Sequence, residues 1–284
     1  MIKFGPSGNC EAFYEAGFKE TWQEPEWLFS LGLNAFEYSF GLGKFLKDET
    51  AQKIGDEAKK FGVEVSVHAP YYINFANESE KSLEYNPRFL FDSLRNLKSL
   101  GGRHCVVHLG SQMKLKRDVA IKNIKNGLAS FLEEKKNSEY ADLIICPETM
   151  GRYSQIGTFE EIFDICTMDD CLIPTLDFGH INCVMQGELK TREDFERIFK
   201  YGIDKIGYEK MKDVHIHFSK IMYGPKGEIR HLTFEDEKYG PKYKPFLEAI
   251  YKLDLEPVII CESSGTQAPD AKTMKDYFYE ISKK

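Results

Sequence analysis

Short apolar or alternating runs recur along the chain, each followed by a longer stretch in which apolar residues return every three or four positions. The short runs are IKFGPS, NAFEYSF, EVSVHAP, HCVVHLG, LIICPET, IPTLDFGH, DVHIHFS and PVIICESS. Their length and β-branched content predict strands, and the longer segments between them predict helices. Those segments include TAQKIGDEAKKFG, NPRFLFDSLRNLKSLG, DVAIKNIKNGLASFLEEKK, TFEEIFDI, REDFERIFK and KPFLEAIYKL. In the second, Asn86 is expected to cap the helix, Pro87 to fill its first turn and Gly101 to close it. Eight strands alternating with helices predict one (β/α)8 TIM barrel over residues 1–284, with a doubly wound open sheet as the alternative.

Because successive side chains of a strand point to opposite faces, the runs also predict what lines the barrel. Val63, Val65 and Val67 form one face of the third run, and Glu64, Ser66 and His68 the other. Cys105, Val107 and Leu109 oppose His104, Val106 and His108, and Val214, Ile216 and Phe218 oppose Asp213, His215 and His217. By the same count Glu148 shares a face with Cys146 and Ile144, Asp177 with Thr175 and Ile173, and Glu262 with Ile260 and Val258. The apolar faces belong against helices, so the polar faces point inward. Each of the six runs from the third to the eighth then delivers a histidine or carboxylate near its C-terminal end: His68, His108, Glu148, Asp177 with His180, His215 and Glu262. Barrel enzymes carry their chemistry at that end. Carboxylates and imidazoles gathered there repel or desolvate one another unless cations neutralise them, and no lysine or arginine stands on these strand ends. A metal cluster fits this pattern, and mixed nitrogen and oxygen donors suit Zn²⁺, Mn²⁺ or Fe²⁺ better than Mg²⁺ or Ca²⁺. His217 is expected to be a hydrogen-bonding group of the rim, and His104 a core residue.

Composition changes this picture little. The 284 residues carry 42% hydrophobic and 29% charged residues, enough for a full core. The N-terminal MIKFGPSGNCEAF lacks the features of a signal peptide, and no apolar segment is long enough to span a membrane, so a cytoplasmic, monomeric protein without membrane association is expected. The seven cysteines form no C-x-x-C pair, which argues against a disulfide framework or a cysteine zinc site. The net charge of −7 weighs against a polyanionic partner, but bound divalent ions would offset part of it. Lys114, Lys116, Arg117, Arg152, Lys220, Lys226, Arg230, Lys238, Lys242 and Lys244 also all follow strands, in connections expected at the mouth.

From FGPSG to ICESSGTQAPDA the chain resembles the endonuclease IV group, the family 2 apurinic/apyrimidinic (AP) endonucleases, of the xylose isomerase-like barrels. The resemblance rests on His68 in VHAPYYIN, His108 in VVHLGS, Glu148 in ICPETMG, the D-x-x-H of Asp177 and His180, His215 with Ser219 and Lys220, and Glu262. The family's D-R-H motif matches only in Arg230 and His231, since Ile229 stands where an aspartate is expected.

The resemblance implies three zinc ions. One would take His68, His108 and Glu148; a second Glu148, Asp177, His215 and Glu262, with Glu148 as the bridge; a third His180 and His231, without the aspartate that Ile229 replaces. Glu228 and His217 are the available substitutes, Glu228 from the neighbouring backbone position. The implied activity is incision of double-stranded DNA at abasic sites, with Glu148, Asp177 and Glu262 as catalytic carboxylates. Lys220 and Arg230 would meet the phosphate, and Tyr71 and Tyr72 would enter the duplex at the lesion. The strand-2 loop EYSFGLGKF departs from the family in lacking a basic, glutamine-rich DNA-contacting segment. Two other classes remain open: a divalent-metal sugar isomerase or epimerase of the same superfamily, using Glu148, Asp177, His215 and Glu262, and a non-catalytic metal-binding protein.

Overall fold

The computed structural model describes residues 1–283. Eight parallel strands form two four-stranded sheets. β2 (Ala35–Ser39), β3 (Glu64–His68), β4 (His104–Val107) and β5 (Ile144–Pro147) make one; β1 (Lys3–Pro6), β6 (Thr175–Asp177), β7 (His215–Phe218) and β10 (Val258–Cys261) make the other. Single bridges close the gaps, Ser7 to Glu37 between β1 and β2, and Glu148 to Thr175 between β5 and β6. The result is the closed (β/α)8 barrel, not the open sheet, with an antiparallel hairpin of β8 (Lys220–Gly224) and β9 (Gly227–Leu232) inserted after β7. The β1–β2 seam depends on glycine: a Cβ on Gly5 would lie 1.7 Å from the carbonyl oxygen of Ala35.

The division of faces agrees with the period-two reading. Val65, Val67, Cys105, Val107, Ile216 and Phe218 belong to the large apolar layer between strands and helices. Inside the barrel, Val106, Ile144, Cys146 and Ile173 form a separate small cluster, and Ala35, Val258 and Ile260 another. In register with Ala35, Glu64 receives the Lys3 ammonium at 2.5 Å and lies 3.6 Å from His104 Nδ1, which is buried as expected. The seven cysteines are free, and among the described residues no helix is long and apolar enough to cross a membrane.

Two boundaries differ from expectation. The helix expected to start at Asn86 begins at Glu80, capped by Ser79, whose side chain accepts from the Ser82 amide. Asn86 is instead a buried interior residue whose amide side chain hydrogen-bonds the Asn74 backbone at both N–H and C=O, so it fastens the loop after β3 to the helix. The sixth strand stops at Asp177, not at His180. Asp177 Oδ1 accepts the His180 amide at 2.7 Å and caps a short helix, Phe178–Val184, so His180 arrives on a first helical turn rather than from a loop.

Candidate metal centre

The C-terminal mouth of the barrel holds a cavity of about 330 Å³ whose wall includes His68, Tyr71, His108, Glu148, Arg152, His180, Glu228, His231 and Glu262. Glu148, just beyond β5 and almost fully buried, is its centre. Its Oε2 lies 2.7 Å from His108 Nε2 and 3.0 Å from His68 Nε2, and its Oε1 lies 3.2 Å from His217 Nδ1 and 3.4 Å from His180 Nδ1. The expected grouping of His68, His108 and Glu148 is therefore present in space.

The second expected group assembles with one exchange. Glu148, Asp177 and Glu262 offer oxygens within 4.8 Å of one another and of a ring nitrogen, but that ring is His217, not His215. Both histidines point inward, so their parity is the same; depth separates them. β7 sets His217 level with Asp177 and Ile260, and His215 a layer lower, level with Thr175 and Val258. At that level His215 Nε2 meets Glu37 Oε2 at 2.9 Å and does not reach the mouth. Glu37, from β2, is fully buried, and it was missed although NAFEYSF places it on the same face as Ser39. The rim role expected for His217 is thus replaced by a place inside the group, with Nε2 2.9 Å from Glu37 Oε1 and Nδ1 3.6 Å from Glu262 Oε2.

The third group is His180, Glu228 and His231. Here the hairpin compensates for Ile229. Its register pairs Met222 with Arg230 but Tyr223 with Glu228, so Ile229 is an extra, bulged residue. The bulge turns Ile229 outward, 55% exposed, and brings Glu228 onto the side of His231. Glu228 then lies 3.7 Å from His180 Nε2 and 4.0 Å from His231 Nε2. Gly151 makes room for this approach, since a Cβ there would lie 2.7 Å from His180 Cδ2 and 2.8 Å from Glu228 Cβ; its carbonyl also accepts the Glu228 amide at 2.8 Å. Asp177 and His180, three residues apart, thus offer donors to different groups.

The donor chemistry fits divalent ions. In three of the rings one nitrogen is held by an outer partner while the other faces a carboxylate: His68 Nδ1 on the Ala69 carbonyl, His180 Nδ1 on the Thr149 carbonyl and His231 Nδ1 on the Ser219 hydroxyl. This is how metal-ligating imidazoles are oriented. Asp177 Oδ2 is buried without a hydrogen-bond partner. The fields agree. Burial works to raise the Glu148 carboxyl, but the His108 and His217 rings hold it well below the usual carboxylate range. Burial also opposes charge on His68 and His180, yet the carboxylates push them up to about 9 and about 10, Glu148 acting on the first and Asp177 then Glu148 on the second. Burial, then the charges of Glu262 and Glu148 against the opposing pull of His180, raise Asp177 to about 6. Such a group concentrates negative field that a cation relieves.

The expected substrate contacts divide. Tyr71 and Tyr72 stand at the rim, each 51% exposed, with hydroxyls 3.2 Å apart. Lys220 does not face the mouth. Its ammonium donates to the Phe234 carbonyl at 2.8 Å and to that of Asp236, tying down the chain after the hairpin. Arg230 is exposed on β9, outside the cavity wall. The cation on the wall is Arg152, whose Nε is 3.7 Å from Glu228 Oε2. Its loop is fixed by Arg117, which donates to the Tyr153 and Gln155 carbonyls and is paired with Glu161.

Residues 25–280 match the family model described as the xylose isomerase-like TIM barrel. An uncharacterized protein of Methanocaldococcus jannaschii is 29% identical over 279 residues, covering 98% of this chain and 97% of its own. A probable endonuclease 4 of Staphylococcus carnosus is 27% identical over 242 residues, covering 81% of this chain and 78% of its own. Among solved structures, endonuclease IV from Thermus thermophilus superposes with a TM-score of 0.71 at 19% identity, covering 98% of this chain and 99% of its own. A D-tagatose 3-epimerase-like protein does so with 0.70 at 19%, covering 99% and 98%. At such identities these two likenesses speak for the fold alone.

Proposed function

The chain belongs to the xylose isomerase-like TIM barrel family, in its endonuclease IV group, and from that premise we propose that it is a metal-dependent phosphodiesterase that incises double-stranded DNA at abasic sites. The observation that carries this reading is the number of donor groups around Glu148. A single ion needs only Glu148, Asp177, His217 and Glu262, yet His68 and His108 converge on the other Glu148 oxygen, and His180, Glu228 and His231 form a further set alongside. Zinc is the ion that this set suits first, with Mn²⁺ or Fe²⁺ as alternatives. Ions held there would supply Lewis acidity toward a phosphoryl oxygen and toward water.

The chain's own residues have separable tasks in this scheme. Glu148 orients the surrounding imidazoles. Asp177 is fully buried and off the cavity wall, so it holds the group together without touching substrate. Glu262 reaches the wall and is the carboxylate placed to hold a water and take its proton. Arg152 is placed to meet a phosphate oxygen, and Tyr71 and Tyr72 to fill a gap in a base stack.

A second reading is a sugar epimerase or isomerase working on one ion. The compactness of the Glu148, Asp177, His217 and Glu262 set favours it, since those four donors suffice for a single-metal site. Incubating the zinc- or manganese-loaded protein with an abasic-site duplex and, separately, with ketohexoses decides between the two. Strand cleavage at the abasic position is expected, and sugar conversion without cleavage would overturn the DNA reading.

A further inference from the structure

We propose that a second cavity, separate from the metal centre, binds the phosphoryl group of a phosphate ester through Asn182, Lys190, Lys238 and Lys242. The proposal stands whether or not the mouth acts on DNA.

The cavity has a volume of about 430 Å³, in the range typical of small-molecule sites, and shares no wall residue with the one at the mouth. It lies between the end of the Phe178–Val184 helix with the residues that follow it, strand β8, and the chain that leaves the hairpin. Its walls are fixed by their own hydrogen bonds. Gln186 Nε2 donates to the Cys183 carbonyl at 2.9 Å and to that of Gly224 at 3.3 Å, tying the turn after the helix to the hairpin. Gly187, with φ of +86°, lets the Tyr223 ring lie against its backbone, since a Cβ there would stand 2.1 Å from Tyr223 Oη. In the chain after the hairpin, Asp236 Oδ1 accepts the amides of Lys238 and Tyr239, and the Gly240 carbonyl accepts that of Ile221.

The groups that this frame leaves unused are chiefly donors. Asn182 is only 1% exposed. Its Oδ1 accepts the Leu189 amide at 3.2 Å, and because a backbone N–H can only donate, that contact fixes which end of the side chain is which. Nδ2 is thereby turned toward Gly240 on the cavity wall, with no hydrogen-bond partner among the described residues. A donor left unused in a buried side chain is costly, so whatever completes it must accept. Around it stand the ammonium groups of Lys190, Lys238 and Lys242, none of them ion-paired among the described residues, against one wall carboxylate, Glu237. Exposed lysines alone are ordinary solvated groups. A buried amide with a spare donor among them, in a chain of net charge −7, is what an ordinary surface cluster does not supply. A phosphoryl group brings both the charge and several acceptor oxygens. Leu189 and the rings of Tyr223 and Tyr239, 5.3 Å apart between centroids, offer apolar surface to the carbon part of the ester.

The test uses the full, metal-loaded chain with ¹⁵N-labelled asparagine. The Asn182 side-chain NH₂ signals, assigned by their loss in Asn182→Asp, are expected to shift on titration with a deoxynucleoside 5′-monophosphate and with inorganic phosphate, but not with the unphosphorylated nucleoside. Asn182→Asp keeps an acceptor for the Leu189 amide and replaces the donor by a second acceptor; Lys242→Glu reverses one exposed charge. Each should weaken nucleotide binding at this cavity roughly tenfold or more by calorimetry. Phosphate held at the metal centre would leave the Asn182 signals in place and persist in both variants. An undamaged duplex separates the two sources of the ligand: displacement of the mononucleotide assigns the site to a backbone phosphate of DNA, and no displacement assigns it to a free phosphorylated metabolite, the phosphoryl site standing either way. Asn182 signals that stay still at millimolar nucleotide would overturn the proposal, as would equal shifts with the nucleoside or unchanged affinity in Lys242→Glu. Should Asn182→Asp not fold, Lys190→Glu and Lys242→Glu, both at exposed positions, carry the test.

Discussion

The donors at the barrel mouth come from two kinds of structure. Glu148, Asp177, His217 and Glu262 stand at the ends of strands that are hydrogen-bonded on both sides, and three of the four are essentially buried. Glu228 and His231 stand on a two-stranded hairpin outside the barrel wall, neither fully buried, with only His180 contributed from the helix that Asp177 caps. Strand ends fix a ligand through the whole sheet, whereas a hairpin fixes it through its own register and a few contacts. The first set should therefore hold an ion tightly and tolerate no loss, and the second should hold one more weakly.

The sharpest way to break this contrast is Glu148→Gln. Because one carboxylate serves four imidazoles, incision should fall by at least about 10³-fold and metal content should fall with it. Activity within about tenfold of the natural protein, a barrier change of about 1.4 kcal/mol, would remove Glu148 from the centre of the scheme. Next comes the pair on β7. His217→Asn is expected to cost the strand-borne equivalent about 10- to 100-fold in zinc affinity, while His215→Asn, one layer lower, should cost less. Equal losses, measured by chelator competition, would erase the distinction of depth.

A smaller effect is expected on the hairpin. Glu228→Gln should release one equivalent of metal about tenfold more readily on dialysis against a chelator, leaving the rest in place. Ile229→Asp should not tighten it, because the side chain at 229 points to solvent. Tighter binding in Ile229→Asp would mean that the bulge is not where the register puts it.

The least effect on either set is expected from Glu24→Gln, which probes the opposite electrostatic situation. Glu24 is buried with neither carboxyl oxygen hydrogen-bonded, and burial pushes its pKa up to about 8. The folded chain then keeps a proton that the unfolded chain gives up above its ordinary pKa, so stability falls as pH rises from about 4.5 toward 8, by up to about 1.4 kcal/mol per pH unit. Glu24→Gln should flatten that decline, raising the melting temperature more at pH 8 than at pH 5, with zinc affinity unchanged. An equal gain at both pH values would contradict a protonated Glu24.

The same contrast explains what the sequence discloses. Period two reveals which residues of EVSVHAP, HCVVHLG and DVHIHFS face inward, because that depends on the pleat alone. It does not reveal depth: His215 and His217 share a face, and the tilt and stagger of neighbouring strands decide which reaches Glu148. Glu37 was legible by the same alternation, but its partners, His215 and His217, lie 178 and 180 positions further along the chain. Glu228 was legible as a substitute for the missing aspartate, but the register shift that turns it toward His231 is one that no regular alternation anticipates. Lys220 follows the seventh strand, where a phosphate-binding cation would fit, yet backbone carbonyls of the next loop capture it. Asn86 carried the cues of a helix start, but its amide suited a loop contact equally well.

One feature of the barrel interior bears on traffic. Val106, Ile144, Cys146 and Ile173 form one small apolar cluster inside the barrel and Ala35, Val258 and Ile260 another, while the buried rings of His217, His215 and His104 make a continuous column beside them. The cavity at the mouth opens beside the donors, so any ligand large enough to cover it would also slow the exchange of whatever is bound beneath.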